Sequence, residues 1–212
     1  MRVPTIVSQH TGAFLGRATP VAYAPKHMFV LGIDPGLAVC GYAVVEKTAA
    51  GERAITAGVV RTDRDQPVAS RLAELHRDLG AIVQEQEPDV MAIEQVFTNR
   101  NLMTAISVGR ASGVALLVAA QAGIPVYEYT PSAVKAAVAG YGKATKDQIR
   151  YIVASRLKLR ARPEPADAAD ALAIALCHLQ GGVGRQHLEQ AGRAKLSAEY
   201  AASSLIEHPA RW

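Results

Sequence analysis

Cysteine is almost absent from this chain: Cys40 and Cys177 are the two in 212 residues. Their positions carry no metal-type spacing. With one in a strand-like run and one in a helix-like run, they read as buried thiols of a reducing compartment, and a disulfide framework is excluded. Long hydrophobic runs are missing too, and none is expected to reach the roughly 20 residues that a membrane helix needs. Acidic residues are absent from residues 1–27, which carry Arg2, Arg17 and Lys26. Within that stretch Ala22-Tyr23-Ala24 has the small-residue form of a signal-peptidase site. Ser8-Gln9-His10 and the glycines interrupt any apolar core before it, and Pro25 follows directly, so secretion is not expected. Residues 1–27 read as a flexible extension, with Met28 as an alternative start, and the protein is expected in the cytoplasm.

What is present suits one globular core. Hydrophobic residues make up 50% and charged residues 20%, which argues against global disorder. The net charge of +4 permits a polyanionic partner without requiring one.

From Met28 the chain punctuates itself clearly. Strands are expected over 28–34, 40–47 and 53–61, with Ala50-Gly51 at a hairpin turn. A helix is expected over 67–86, where Leu72, Leu75, Leu79, Ile82 and Val83 share one face and Pro67 suits the first turn. A short buried strand follows at 90–94. The run 101–121 is a helix rich in Ala, Gly and Ser that must pack closely, with Gly123 at its end. Residues 125–129 form a fifth strand. Thr130-Pro131 opens a helix to about 139, a Gly-Tyr-Gly-Lys loop spans 140–143, and further helices cover 145–158 and 166–180. Three strands at hairpin spacing followed by two linked through helices predict a mixed sheet with helices on its faces. One domain covers 28–180, and 181–212 reads as a loosely attached tail.

Four acids stand out. Asp34 ends the apolar run Phe29 to Ile33 before a Pro35-Gly36 turn, and Glu94 ends the strand 90–94. Charge at the end of a buried strand is costly without a partner. Asp167 and Asp170 lie at i, i+3 near a helix start, on one face. Each has a plain structural explanation: a helix N-cap for Asp167, a first-turn acid favoured by the helix dipole for Asp170, a turn-forming role for Asp34, an exposed strand end for Glu94. Gathered together, four carboxylates repel one another unless a cation intervenes. An all-oxygen cluster suits Mg²⁺ or Mn²⁺, and two such ions about 4 Å apart serve phosphodiester cleavage.

Leu31-Gly32-Ile33-Asp34-Pro35-Gly36, Ala92-Ile93-Glu94-Gln95-Val96-Phe97 and Ala166-Asp167-Ala168-Ala169-Asp170-Ala171-Leu172-Ala173-Ile174-Ala175 occur in order. Together they resemble the RuvC family of Holliday-junction resolvases, as do Tyr127-Glu128-Tyr129 and Gly140 to Gln148. The resemblance covers roughly residues 28–180. It implies an α/β ribonuclease-H-like fold, with a five-stranded mixed sheet and helices on both faces. It also implies a homodimer that nicks a four-way DNA junction symmetrically, leaving 5′-phosphate and 3′-hydroxyl ends. Two Mg²⁺ ions per subunit, replaceable by Mn²⁺, would be held by Asp34, Glu94, Asp167 and Asp170. Some family members carry His where Asp167 stands.

By the same resemblance Phe97 stacks on an unpaired base, and Lys135 and Lys146 lie near the scissile phosphate, with Lys146 assisting catalysis. Lys143 and Arg150 add positive charge, Tyr141 contacts a base or sugar, and Asn99 and Asn101 position phosphate. Arg110 serves either DNA or the dimer interface. The family's partners are the RuvA junction-binding protein and the RuvB branch-migration motor. The sequence departs from the family at Leu37-Ala38-Val39-Cys40, which replaces a more polar stretch. Rival readings are an actin-like ATPase or sugar kinase, which needs a second glycine-rich phosphate loop not found here, a junction-binding module without cleavage, and a related nuclease acting on RNA.

Overall fold

The first strand, β1 (His27–Asp34), is apolar from Met28 through Ile33, where helices cover both of its faces. The computed structural model describes residues 27–96 and 102–182. After β1 come β2 (Val39–Thr48), β3 (Gly51–Arg61), α1 (Val68–Gln86), β4 (Val90–Glu94), α2 (Leu102–Ala122), β5 (Val126–Tyr129), α3 (Pro131–Ala139), α4 (Lys146–Arg156) and α5 (Ala166–Cys177). The strands form one sheet in the order β3-β2-β1-β4-β5. The β1–β2 and β2–β3 pairs are antiparallel, while β1–β4 and β4–β5 are parallel. This is the five-stranded mixed sheet expected from the sequence.

Alternation along the central strands splits the core in two. Leu31, Ile33, Val44, Met91 and Ile93 face α1 and α2, where they meet Leu75, Leu79, Ala111, Ala115 and Val118. Val30, Ala43, Val45, Val90 and Ala92 face the other way, against α3, α4 and α5. The helices begin where local chemistry lets them. Thr130 Oγ1 accepts from the Ala133 N–H at 3.1 Å, with Pro131 opening α3. Thr145 and Gln148 form a reciprocal capping box on α4.

Glycine sets the position of α5. A Cβ on Gly32 would run into the backbone oxygen of Ala171, and one on Gly41 into the backbone oxygen of Asp167. The helix therefore lies with its backbone directly on β1 and β2. Ala168, Ala169, Ala171, Ala173 and Ala175 keep that approach close and are all buried.

Three expectations are corrected. Asp167 does not cap α5, because the cap position belongs to Pro165 and no side chain caps the helix. Regular helix ends at Cys177, not at residue 180; a wider turn continues over His178–Gly182, where Gly181 has φ 86°. Finally, α2 is long and apolar enough to cross a membrane by length and composition, with a mean hydropathy of 1.7 over its most apolar window. Ala and Gly supply much of that character, and α2 packs one side on the sheet and α1.

Candidate active site

The same alternation that divides the core aims the strand-end acids. Val30 and Gly32 face α5, so Asp34, two residues further on, leaves β1 on that side. Val90 and Ala92 do the same in β4, which sends Glu94 the same way. The parallel register pairs Ile33 with Ile93, so Asp34 and Glu94 are neighbours at the carboxyl end of the sheet. Asp34 also pairs with Gly41, against which the backbone of Asp167 rests. Asp170 follows one turn later on α5. Four acids separated by up to 136 residues of chain (34 to 170) thus meet at one end of the molecule.

Their electrostatics record the meeting. Asp34 is pushed up to about 7 from 3.8, first by burial and then by the charges of Glu94, Asp170 and Asp167. Glu94 is also raised, by burial and then by Asp170. Lys146 opposes both shifts, and Lys135 opposes that of Glu94, which puts both lysines within electrostatic reach. Lys146 Nζ donates to Asp170 Oδ2 at 2.8 Å, and this bond raises the lysine's own pKa. The side chain therefore stays an ammonium at neutral pH and cannot accept a proton; it serves as a positive charge.

The donor set fits a hard divalent cation: carboxylate oxygens only, with Asp34 raised by burial and neighbouring charge so that a cation would displace its proton. Among the described residues no three His, Cys, Asp or Glu side chains close on a single point as they stand. Asp170 is turned to the Lys146 ammonium, which takes up part of the local negative charge.

The other sequence-derived candidates fall into different places. Lys143 is exposed in the loop before α4. Tyr141 is 48% exposed, and its hydroxyl donates to Gln148 Oε1 at 3.0 Å. The Arg150 side chain is mostly covered and stands 3.6 Å from Glu164, in the connector that leads into α5. Arg110 lies on α2, across the sheet from the acids. Phe97, Asn99 and Asn101 lie outside the described residues. The sequence places Lys146 near a phosphate but gives no local signal of its bond to Asp170, 24 positions further along the chain. The role of Gly32 and Gly41 was missed as well, although glycine inside an apolar strand is itself a sign of close backbone approach.

Comparison with known proteins converges on one family. The family described as Crossover junction endodeoxyribonuclease RuvC matches residues 30–178. The protein of that name from Desulforamulus reducens is 49% identical over 153 residues, covering 72% of this chain and 94% of the relative. Its counterpart from Moorella thermoacetica is 45% identical over 167 residues, covering 78% of this chain and all of the relative, 100%. Among solved structures, Thermus thermophilus RuvC in complex with Holliday junction substrate superposes with a TM-score of 0.68 at 39% identity, covering 72% of this chain and 93% of that one. The yeast mitochondrial Holliday junction resolvase Ydc2 matches with a TM-score of 0.54 at 14% identity, over 76% and 82% of the two chains, and shares the fold.

Proposed function

The chain belongs to the RuvC family of crossover junction endodeoxyribonucleases and resolves Holliday junctions, and from this we propose that Asp34, Glu94, Asp167 and Asp170 form its cleavage centre. The observation that carries the assignment is the shared parity and register of β1 and β4, which brings Asp34 and Glu94 together under the first turn of α5. The four carboxylates would hold two divalent ions, Mg²⁺ or Mn²⁺. Such ions, when bound, activate the attacking water and stabilise the departing 3′-oxygen, giving 5′-phosphate and 3′-hydroxyl ends.

The chain's own groups do the rest. Asp34, buried and raised, gives up its proton as the site is loaded. Lys146 holds Asp170 in place and presents positive charge where a phosphate enters. Lys135 adds a second positive charge beside Glu94. Lys143 and Tyr141 lie in the loop that leads into α4 and would track the DNA backbone, with Phe97 as a stacking platform. Asn99, Asn101 and Arg150 complete the proposed DNA contacts. The work is done on chromosomal DNA in the cytoplasm, with RuvA and RuvB as the family's partner proteins.

Two symmetric nicks require two sites, and α2 supplies a surface for a second copy. Leu102, Met103, Ile106 and Leu117 are exposed along one stripe, at 69%, 71%, 38% and 50%. Gly109 and Gly113 lie in the same stripe with open space where a side chain would stand. A second helix can approach closely there. Arg110 sits in this stripe and is assigned to the dimer interface.

The deciding experiment offers a labelled four-way junction and a linear duplex to the protein with Mg²⁺, Mn²⁺ or EDTA. Paired nicks near the crossover, dependent on metal and absent on duplex, are expected. Tight junction binding with no cutting under either metal would overturn the cleavage centre.

A further inference from the structure

Thr62 follows β3 and is buried, 7% exposed, on the side of the sheet away from α5. Its backbone N–H donates to the Ala38 carbonyl at 3.2 Å, and its hydroxyl donates to the Leu37 carbonyl at 2.5 Å. The same hydroxyl accepts from Arg71 Nε at 3.0 Å. A threonine hydroxyl has one proton to give, and that proton is committed to Leu37 by the arginine that fills its acceptor side. Arg71 is itself fixed in the first turn of α1, where its N–H donates to the Pro67 carbonyl at 3.1 Å.

The segment held in this way is the turn that follows Asp34. Pro35 fixes its own φ, and Gly36 is so tightly placed that a Cβ there would meet the Val39 carbonyl. Leu37 is 3% exposed and packs in the core with Val60 and Leu75. Between Asp34 and the carbonyls gripped by Thr62 the chain has almost no freedom to absorb a shift.

We propose that Thr62 and Arg71 are positioning residues for DNA cleavage, fixing the Pro35–Ala38 turn and through it the carboxylate of Asp34. The proposal rests on the reading of Asp34 as part of the cleavage centre. Neither residue touches the acids. Their effect is on the aim of Asp34, where a displacement of about 1 Å costs on the order of a hundredfold in rate.

The test compares wild type with Thr62→Val, Thr62→Ser, Arg71→Gln and Asp34→Asn in single-turnover cleavage of a labelled four-way junction at saturating Mg²⁺. Junction binding is measured in EDTA, and all work is done well below each variant's Tm. Thr62→Val is expected to lower the nicking rate roughly ten- to a hundredfold while junction affinity stays within about twofold. Thr62→Ser, which keeps the hydroxyl, restores the rate, and Arg71→Gln lies between. A wild-type rate for Thr62→Val overturns the proposal. So does a loss of binding in step with rate, or a failure of serine to rescue, since either marks a general structural role. Asp34→Asn separates the two levels: if it cleaves normally, the cleavage centre is wrong, and if it is inactive while Thr62→Val is normal, only the positioning role fails.

Discussion

Lys146 and Asp170 are joined by a 2.8 Å hydrogen bond that reaches from the first residue of α4 to the second turn of the α5 start. One ammonium faces a group of acids in which burial and then neighbouring carboxylates raise the proton affinities of Asp34 and Glu94. Replacing Lys146 with Met removes that charge and keeps the stem. The expected outcome is a loss of at least about tenfold in the nicking rate, the usual scale for a charge acting on a developing phosphate charge. Because Lys146 is an ammonium at neutral pH, raising the pH to 9 does not rescue the variant. A rate equal to wild type would remove Lys146 from the cleavage centre.

Asp34→Asn is expected to abolish cleavage while leaving junction binding intact, as measured by mobility shift and product analysis on the same samples. The variant also separates activity from stability. In wild type the folded Asp34 binds a proton up to about pH 7, and the unfolded one only up to about 3.8. Between those values the folded state carries the extra proton, so without divalent cation stability falls as pH rises through that window. Asparagine removes the penalty. At pH 8 in EDTA, Asp34→Asn should exceed wild type in stability by about 1–3 kcal/mol, and at pH 4 the difference should vanish. Thermal melts at the two pH values measure both terms.

Mg²⁺ is expected to reverse the same linkage. Protons and cations compete for the acids, so the divalent concentration needed for half-maximal stabilisation rises as pH drops below 7. Melting temperature against MgCl₂ concentration at pH 6 and pH 8 reads this directly. A pH-independent curve would place the ion elsewhere.

Gly41→Ala tests the seat of α5. The added methyl meets the Asp167 backbone oxygen, so the helix start must move. Overpacking of this kind costs about 1–3 kcal/mol, and here it also shifts Asp167 away from Asp34. Cleavage should fall by more than the stability loss accounts for, seen by comparing rates at equal folded fraction. Gly51→Ala, at a turn with open space around it, isolates the effect of adding a methyl to a strained glycine elsewhere in the sheet.

On α2, Ile106→Glu places a charge in the middle of the exposed apolar stripe. The expected result is a monomer by light scattering with an unchanged fold by circular dichroism, and single nicks in place of paired ones. A dimer with paired nicks would move the interface to another surface.

Much of the fold was legible before any coordinates. The strand ends at Asp34 and Glu94 and the helix start at Ala166 follow from runs of apolar residues closed by Pro, Gly or a charge. Parity could also be read locally, because side chains in a strand alternate. What could not be read was which strand lies beside which, and hence that Ile33 and Ile93 are in register. That depends on packing between segments 60 residues apart, for which one sequence carries no signal. The Thr62 bonds to Leu37 and Ala38 were hidden for the same reason. The expectation that no run reaches membrane length failed at α2 for a different reason: Ala and Gly count as apolar but seldom stand out as a hydrophobic run.

The seating of α5 on Gly32 and Gly41 also ties the proposed chemistry to the end of the described chain. Two of the four proposed acids arrive on α5, the last regular helix among the described residues. A chain whose sheet, α1 and α2 formed before α5 was made would carry Asp34 and Glu94 without the other two proposed acids. On the proposed assignment of the four acids, the cleavage centre is complete only once α5 is seated on the sheet. On that assignment, a chain truncated before Ala166 is expected to lack cleavage activity.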